Sequence, residues 1–324
     1  MQISRPARCY AARWGAFLFL LMSSARPVPA ALPATEVDKN QAENAAIRRE
    51  WDSWNHPFKP FHIIGNVYYV GPAGISSFLI VTPAGNILLD TGFESTVPGI
   101  CQSITNLGFR VPDVKIILNT HAHLDHAGGD ALMKRLTAAK IFMSAADASL
   151  LADGGMSDFT PYSREMVHFR PTHADQLLRD GDVVSLGGVR LVCHLTPGHT
   201  KGCTTWTMEV NDHGRIVHVL FFGSTSLLPG VRLLNNPRYP QIVTDYQATF
   251  CKLKTLPCDV FLAPHAGFFD LAGKAARLER GETPNPFIDP SGYQNFIRQS
   301  EQKFLDQWHQ EQAGAPAMPP PSVH

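Results

Sequence analysis

Four potential metal ligands occur within six residues of this chain, in the segment HAHLDH at positions 121–126. The segment directly follows the apolar run VKIIL, which is typical of a buried strand, so we expect the ligands on a loop at a strand end. Residues two apart in an extended stretch point the same way, so His121 and His123 can share one metal ion. A bend toward a helix then directs Asp125 and His126 at a second position. Imidazole and carboxylate suit Zn²⁺, and a merely solvated polar loop would not explain ligands so closely spaced.

Two later histidines occur in a similar setting. His199 lies in the turn LTPGHT between two apolar runs, and His265 ends the apolar run VFLAPH. Each of them alone would be read as an ordinary polar turn residue. Because functional sites are often assembled from loops at strand ends, both become candidate ligands once the HAHLDH segment is considered with them.

The motifs LLDTG, HAHLDH, TPGHT and the late PH resemble, in this order and over residues 61–270, the metallo-β-lactamase superfamily. The segments SLLADGG and NNPRYPQIVTDYQATF are similar to the third subclass of class B β-lactamases. That resemblance implies two zinc ions per chain. The first would be held by three histidines and the second by an Asp-His-His set: His121, His123 and His199 for the first, and Asp125, His126 and His265 for the second.

The resemblance also implies a reaction. A hydroxide between the two zinc ions would open the amide of penicillins, cephalosporins and carbapenems without an acyl-enzyme, with Asp125 and His199 as catalytic residues besides their ligand roles. Asp90 in ILLDTG would orient a ligating histidine, or it simply ends a strand. Ser224 and Ser226 would bind the carboxylate that these antibiotics share, or they end a strand.

One departure from the family pattern bears on the substrate. Thioesterases and lactonases of this fold carry a metal-bridging Asp where this chain has Gly223 and Ser224. The second zinc would therefore have only three protein ligands, and the thioester reading becomes weaker. The alternatives are a lactone or thioester hydrolase on the same dizinc fold, and a zinc-binding protein without catalysis, because a fold does not fix a function.

The pattern of elements predicts an α/β fold. Short β runs, a helix over residues 95–109, a strand and another helix are followed by a second, looser series of the same kind. Periodicity alone would also permit a doubly wound sheet, and the family resemblance favours a four-layer αββα sandwich. We expect one domain over residues 61–312, with two similar halves that meet near 185–190.

The chain ends predict export. Arg5, Arg8 and Arg13 precede an apolar run from Gly15 to Met22, and small residues follow, which indicates a signal peptide over residues 1–30. A short membrane anchor is the alternative. The mature protein is then expected in the periplasm or outside the cell, free of the membrane, with an N-terminal arm over residues 31–60. The Pro- and Ala-rich tail, residues 313–324, is expected to be disordered.

Charge and cysteine content constrain the partners. Lys+Arg and Asp+Glu are both 28, so the formal net charge of zero gives no reason to expect nucleic acid. A small-molecule substrate and a monomer are expected. An oxidising compartment permits a disulfide for Cys251–Cys258 or Cys193–Cys203. No cysteine follows Cys258, so the late bridge common in the family cannot form, which favours Cys251–Cys258.

Overall fold

The computed structural model describes residues 36–162 and 164–314. The chain divides into two units, Met1–Gln41 and Ala42–His324, and of the first only the start of one helix is described. The predicted signal peptide over residues 1–30 and residues 315–324 of the predicted tail lie outside the described residues. Within the described part, no helix is long and apolar enough to cross a membrane.

Nine α-helices and twelve strands are described. The helices are α1 Glu36–Trp54, α2 Val97–Asn106, α3 Leu124–Ala127, α4 Asp130–Thr137, α5 Ala148–Ala152, α6 Arg164–Val167, α7 Ile242–Leu253, α8 Leu271–Glu279 and α9 Pro290–Gln312. The strands are β1 Phe61–Ile64, β2 Val67–Tyr69, β3 Phe78–Thr82, β4 Gly85–Leu89, β5 Val114–Leu118, β6 Lys140–Ser144, β7 Gln176–Leu178, β8 Val183–Leu186, β9 Val189–Leu195, β10 Thr204–Asp212, β11 Arg215–Phe221 and β12 Val260–Leu262.

The strands form two sheets. The first has seven strands in chain order, β1 to β7, antiparallel up to the β3–β4 pair and parallel from β4 to β7. The second has five strands in the order β12-β11-β10-β9-β8, with β11 and β12 parallel and the other pairs antiparallel. The transition between the sheets falls between β7 and β8, and residues 187–188 are the turn of the β8–β9 hairpin.

Alternating side chains place the first sheet between two cores. In β3, Phe78 and Ile80 belong to the core cluster that also contains strand residues of the second sheet, such as Trp206 and Val219. Leu79, between them in the chain, belongs to the other core cluster. Since successive strand residues point to opposite faces, one face of the first sheet packs on the second sheet and the other face packs in the second core cluster.

Helices cover the outer faces. In the second core cluster, Leu79 and other residues on the same face of the first sheet pack with Ile100 of α2 and Met133 of α4. Against the second sheet lie α7 and α9, where the rings of Tyr246 and Phe304 stack 5.2 Å apart. The order helix, sheet, sheet, helix confirms the predicted αββα sandwich. Burial of apolar side chains in both cores supplies its main stabilisation.

The strand directions bring the candidate residues to one edge. Strands β4 and β5 are parallel, so Asp90 and the HAHLDH segment follow strand ends at the same edge of the first sheet. In the second sheet β9, β11 and β12 run in one direction, because β9 and β11 are each antiparallel to β10 and β12 is parallel to β11. His199 and His265 therefore also follow strand ends at a common edge.

The predicted Cys251–Cys258 disulfide is wrong. Both cysteines are free thiols, as are the other three described cysteines. Cys251 is exposed on α7, whereas Cys258, in the loop before β12, is mostly covered. Because the two side chains lie in different environments, seven residues of separation do not make them a pair. Bond formation requires the two Cβ atoms to face each other within about 4 Å.

Candidate metal centre

Three histidines from both sheets meet at the first candidate metal position. One nitrogen from each of His121, His123 and His199 lies within 4.8 Å of the other two. Their ring centroids are 4.6–4.8 Å apart in pairs. His121 and His123 follow β5, and His199 follows β9, so the set forms only when the sandwich closes.

The second candidate position lies directly beside the first. Ligand atoms of His121, Asp125 and His126 lie within 4.8 Å of one another. His265 joins this group, because Asp125 Oδ2 is 3.1 Å from His126 Nε2 and 3.4 Å from His265 Nε2. The structure thus brings together all six residues that the sequence predicts as ligands.

Unsatisfied buried nitrogens indicate that the cluster fits a cation. Nε2 of His121 and both ring nitrogens of His126 are buried without a hydrogen-bond partner. Buried polar side-chain atoms normally have partners, and an orphaned imidazole nitrogen is costly. Several such nitrogens around carboxylate oxygens are the donor set expected for Zn²⁺, which takes three or four nitrogen, sulfur or oxygen ligands. The residues present therefore fit two zinc ions.

Hydrogen bonds behind the rings orient two of the histidines. His199 Nδ1 donates to the carbonyl of Ser226 at 2.8 Å, which leaves Nε2 for a metal. His121 Nδ1 lies 3.1 Å from Thr120 Oγ1, and that hydroxyl donates to Asp90 Oδ2 at 2.8 Å. The outer partners of a ligating imidazole fix its tautomer and direction, which raises metal affinity.

Asp90 lies beneath both candidate positions. Its Oδ1 accepts the Thr120 backbone N–H at 2.7 Å, and its Oδ2 is 3.5 Å from His126 Nδ1. The residue has a φ of +59°, a left-handed conformation that Asp adopts more readily than most residues. This backbone turn aims the carboxylate back under the HAHLDH segment. The placement is the one that a positioning role requires.

His265 is held by pairing between the sheets. It forms an isolated antiparallel bridge with Ile75, and the neighbouring Ser76 N–H donates to the Pro264 carbonyl at 2.7 Å. The Ala266 N–H donates to the carbonyl of Gly74 at 3.0 Å. These bonds tie the segment after β12 to the loop between β2 and β3, and they bring its imidazole to Asp125.

Asp147 is a buried residue that the sequence analysis missed. Its Oδ2 accepts the Ala122 N–H at 3.0 Å and the Thr200 hydroxyl at 2.8 Å, and its Oδ1 accepts the Gly202 N–H at 2.7 Å. Ala122 separates two candidate ligands in the chain, and Thr200 follows another. One carboxylate thus joins the ligand loops of the two sheets. A Cβ at Gly202 would lie 2.5 Å from Asp147 N, so this close approach requires glycine.

Asp158 is a second residue without a sequence signal. Its Oδ2 lies 3.4 Å from His123 Nε2 and accepts the Thr160 hydroxyl at 2.7 Å. The Asp158 carboxylate therefore lies against one ring nitrogen of His123. A carboxylate behind a ligating histidine is a common arrangement at zinc sites.

Burial and charge set the protonation of the cluster in opposite ways. Burial, reinforced by neighbouring imidazoles, lowers the pKa of His199 to about 3 and that of His265 to about 4. Burial also disfavours the charged form of His126, but the carboxylates of Asp125 and Asp90 outweigh it and raise its pKa to about 10. The same carboxylates that hold a proton on His126 favour a metal cation there, because proton and metal compete for one lone pair.

A cavity of about 550 Å³ opens over the cluster. His123, Asp125, His199 and His265 line it, together with Ser226. Ser224, in contrast, is buried at 2% exposure, and its Oγ accepts the Ser226 N–H at 3.2 Å. Of the two serines predicted to contact substrate, the structure therefore brings Ser226 to the cavity and places Ser224 behind it.

Comparison with known proteins identifies the class. Residues 70–265, more than half of the chain, match the sequence profile of the metallo-beta-lactamase superfamily. The chain therefore belongs to that superfamily, which confirms the resemblance that the motifs suggested.

Particular members of the class are similar over most of the chain. The native FEZ-1 metallo-beta-lactamase from Legionella gormanii is 45% identical, with a TM-score of 0.78 over 79% of this chain and 98% of that one. BJP-1, a subclass B3 metallo-beta-lactamase of Bradyrhizobium japonicum, is 40% identical, with a TM-score of 0.75 over 81% and 97%.

A relative whose name gives a different activity matches over a smaller share of its own length than these two lactamases do. The human mitochondrial persulfide dioxygenase ETHE1 is 28% identical over 202 residues, which are 62% of this chain and 65% of that protein.

Proposed function

We propose that this protein is a zinc-dependent β-lactamase that hydrolyses the amide of penicillins, cephalosporins and carbapenems with two zinc ions and no acyl-enzyme. The observation that carries the proposal is the pair of adjoining ligand groups, three histidines and an Asp-His-His set, at the floor of one cavity. The similarity to subclass B3 metallo-beta-lactamases supports it.

The six side chains have the geometry to hold both ions. His121, His123 and His199 would hold the first, and Asp125, His126 and His265 the second. When bound, zinc would lower the pKa of water to about 7 and polarise a carbonyl, which supplies a nucleophile without a reactive side chain.

Protein groups around the ions perform the remaining tasks. Burial keeps His199 neutral, and the hydrogen bond to the Ser226 carbonyl orients the ring so that Nε2 is free. His126 and His265 flank Asp125 and hold its pKa well below its usual range despite burial, so it stays ionised and can accept a hydrogen bond from attacking water. The Ser226 hydroxyl at the cavity wall is the candidate partner for the substrate carboxylate.

The position of Gly223 argues against the lactone and thioester alternative. A Cβ there would lie 2.7 Å from Cys203 Sγ and 2.8 Å from the Thr204 carbonyl oxygen. No side chain fits without displacement, so a metal-bridging carboxylate cannot be supplied from this position. The second ion would then have three protein ligands, as many as the first, instead of the four that a bridging carboxylate would give it.

Export to the periplasm or the outside of the cell, after removal of residues 1–30, is part of the proposal, as is a monomer free of the membrane. The N-terminal basic and apolar segments support export. Sequencing the N-terminus of the protein recovered from periplasm and medium checks the cleavage, and light scattering checks the monomer.

A substrate panel tests the activity. The zinc-loaded protein is assayed on a penicillin, a cephalosporin, a carbapenem, an acyl-homoserine lactone and a glutathione thioester at equal concentrations. The proposal predicts that kcat/KM is highest for β-lactams. Faster turnover of the lactone or the thioester would establish the alternative, and turnover of none would leave a zinc-binding protein without this catalysis.

A further inference from the structure

Helix α1 contributes an apolar wall to the cavity. Ile47, Trp51 and Trp54 line it, and all three are half-buried. Their spacing of i, i+4 and i+7 places them on one face of the helix. They belong to the same unit as the cavity, which begins at Ala42. The helix lies outside residues 70–265, so it is not part of the superfamily match.

The apolar wall begins at the candidate metal ligands. The rings of Trp54 and His265 meet edge to face, with centroids 5.0 Å apart. Trp51, one turn earlier on the helix, lies farther along the same face. Other apolar residues of the cavity are Leu150, Val167 and Phe169, from α5 and from the segment after Asp158. A substituent attached close to the reacting carbonyl would therefore extend away from the metal ligands and lie along this apolar surface.

Glu50 adds one charge to this wall. It lines the cavity, it is exposed, and it precedes Trp51 on the helix. Asp52, on the same helix, is equally exposed but does not line the cavity. A carboxylate at the mouth of a cleft repels an anion that enters it and tolerates a neutral or cationic group.

We infer that the wall formed by Ile47, Trp51 and Trp54 is a subsite for an apolar, uncharged acyl substituent of the β-lactam, and that Glu50 selects against anionic substituents. The inference rests on the proposed function. The acylamino group of a penicillin is attached to the carbon next to the lactam carbonyl. A carbonyl placed over the ligands therefore puts this substituent within reach of Trp54 and Trp51. Burial of an aromatic ring against indole is favourable through both apolar area and ring contact.

Truncation of Trp51 tests the apolar part. The measured quantity is kcat/KM for benzylpenicillin divided by kcat/KM for 6-aminopenicillanic acid, which lacks the acyl group. We expect Trp51→Ala to lower this ratio roughly tenfold, the size of effect of removing a contact in a hydrophobic pocket. Trp51→Phe should keep most of it. Zinc content and thermal melting of each variant, measured in parallel, separate this effect from loss of the fold or of the ions.

Neutralisation of Glu50 tests the charged part. The ratio of kcat/KM for carbenicillin, which carries a carboxylate on its acyl group, to that for benzylpenicillin should rise roughly threefold in Glu50→Gln at low salt. At high salt the ratio of the parent should approach that of the variant, because screening weakens the repulsion by Glu50. The matched control Asp52→Asn removes a charge from the same helix without facing the cavity, so its ratio should stay at the parent value.

The outcomes are distinct for the inference and for the function beneath it. If β-lactams are hydrolysed but neither ratio responds, or if Asp52→Asn responds as strongly as Glu50→Gln, the subsite on α1 is refuted and the β-lactamase stands. If the zinc-loaded parent hydrolyses neither benzylpenicillin nor 6-aminopenicillanic acid, the proposed function and the subsite both fall.

Discussion

Replacement of Asp147 by asparagine is expected to weaken zinc binding at the first position more than at the second. The carboxylate of Asp147 joins the loop that carries His121 and His123 to the loop that carries His199, through Ala122 N–H and the Thr200 hydroxyl. Among the described residues, the Asp147 side chain accepts hydrogen bonds from Ala122, Thr200 and Gly202 and from no member of the second ligand group. Asparagine has nearly the same size, so the change tests the hydrogen bonds and not the packing.

The structure gives the magnitude. Asparagine retains one acceptor oxygen, which can still take the two bonds at Oδ2, but its amide then faces the Gly202 N–H as donor to donor. Loss of a charge-assisted hydrogen bond costs about 1.5–3 kcal/mol, and relief of the buried charge offsets part of that. We expect about 2 kcal/mol less free energy of unfolding, which for a chain of 324 residues corresponds to a decrease in Tm of about 3 °C. Loss of an outer partner typically lowers metal affinity about 10- to 100-fold.

Zinc titration against a competing chelator, with calorimetric melting of the zinc-free protein, measures both effects. Asp175→Asn is the matched control, because Asp175 Oδ2 accepts Ile141 N–H at 2.8 Å and the Lys134 ammonium at 2.7 Å in the same half of the fold, away from the ligands. The control should lose stability without losing zinc affinity. A fall in Tm for Asp147→Asn with both zinc affinities unchanged would refute the positioning role and leave a structural one.

Three further predictions follow from the site and the core. His265→Ala should reduce bound zinc from two equivalents to one, as measured by elemental analysis after dialysis; retention of two would exclude His265 as a ligand. After unfolding in denaturant without reductant, Cys251 and Cys258 should both react as free thiols with a chromogenic disulfide reagent. If two thiols fail to react, the disulfide exists and the free-thiol assignment is wrong. Burial raises the pKa of Asp130 to about 7 from an ordinary value of 3.8. The folded state therefore keeps a proton that the unfolded state releases, and stability falls as pH rises from about 4 to 7. Asp130→Asn should gain about 1–3 kcal/mol relative to the parent at pH 8 and less at pH 5, and an equal difference in chelator-treated protein at both values would contradict this.

The ligand set could be predicted from the sequence because each member lies in a short motif at a strand end. The order of HAHLDH, TPGHT and the late PH is read directly from the chain. Their convergence then requires only that the ends of β5, β9 and β12 share one edge of the sandwich, which the strand directions provide. The layers of the fold were predictable only through the family resemblance, since continuous apolar runs such as those of β3 and β4 predict buried strands in a sandwich and in a doubly wound sheet alike.

The residues behind the ligands could not be found in this way. Asp147 lies in AADAS and Asp158 in MSDFT, where nothing in the residue pattern distinguishes them from acidic turn residues. Their roles arise from partners that are distant in the chain, such as Gly202, which is 55 residues from Asp147. The prediction of a Cys251–Cys258 disulfide fails for a similar reason. The direction of the Cys251 side chain on α7, and not its spacing in the sequence, decides whether it can reach a partner. Helix α1 reads as a polar arm, and only the tertiary structure makes Trp51 a cavity residue.

The central claim is tested most directly by adding zinc stepwise to the metal-free protein while bound zinc and β-lactam hydrolysis are followed in the same samples. We expect hydrolysis of a penicillin and a carbapenem to rise with occupancy, to level off at two zinc ions per chain, and to disappear when a chelator removes them. Two bound zinc ions without turnover of any β-lactam, or turnover that survives complete removal of zinc, would contradict the account.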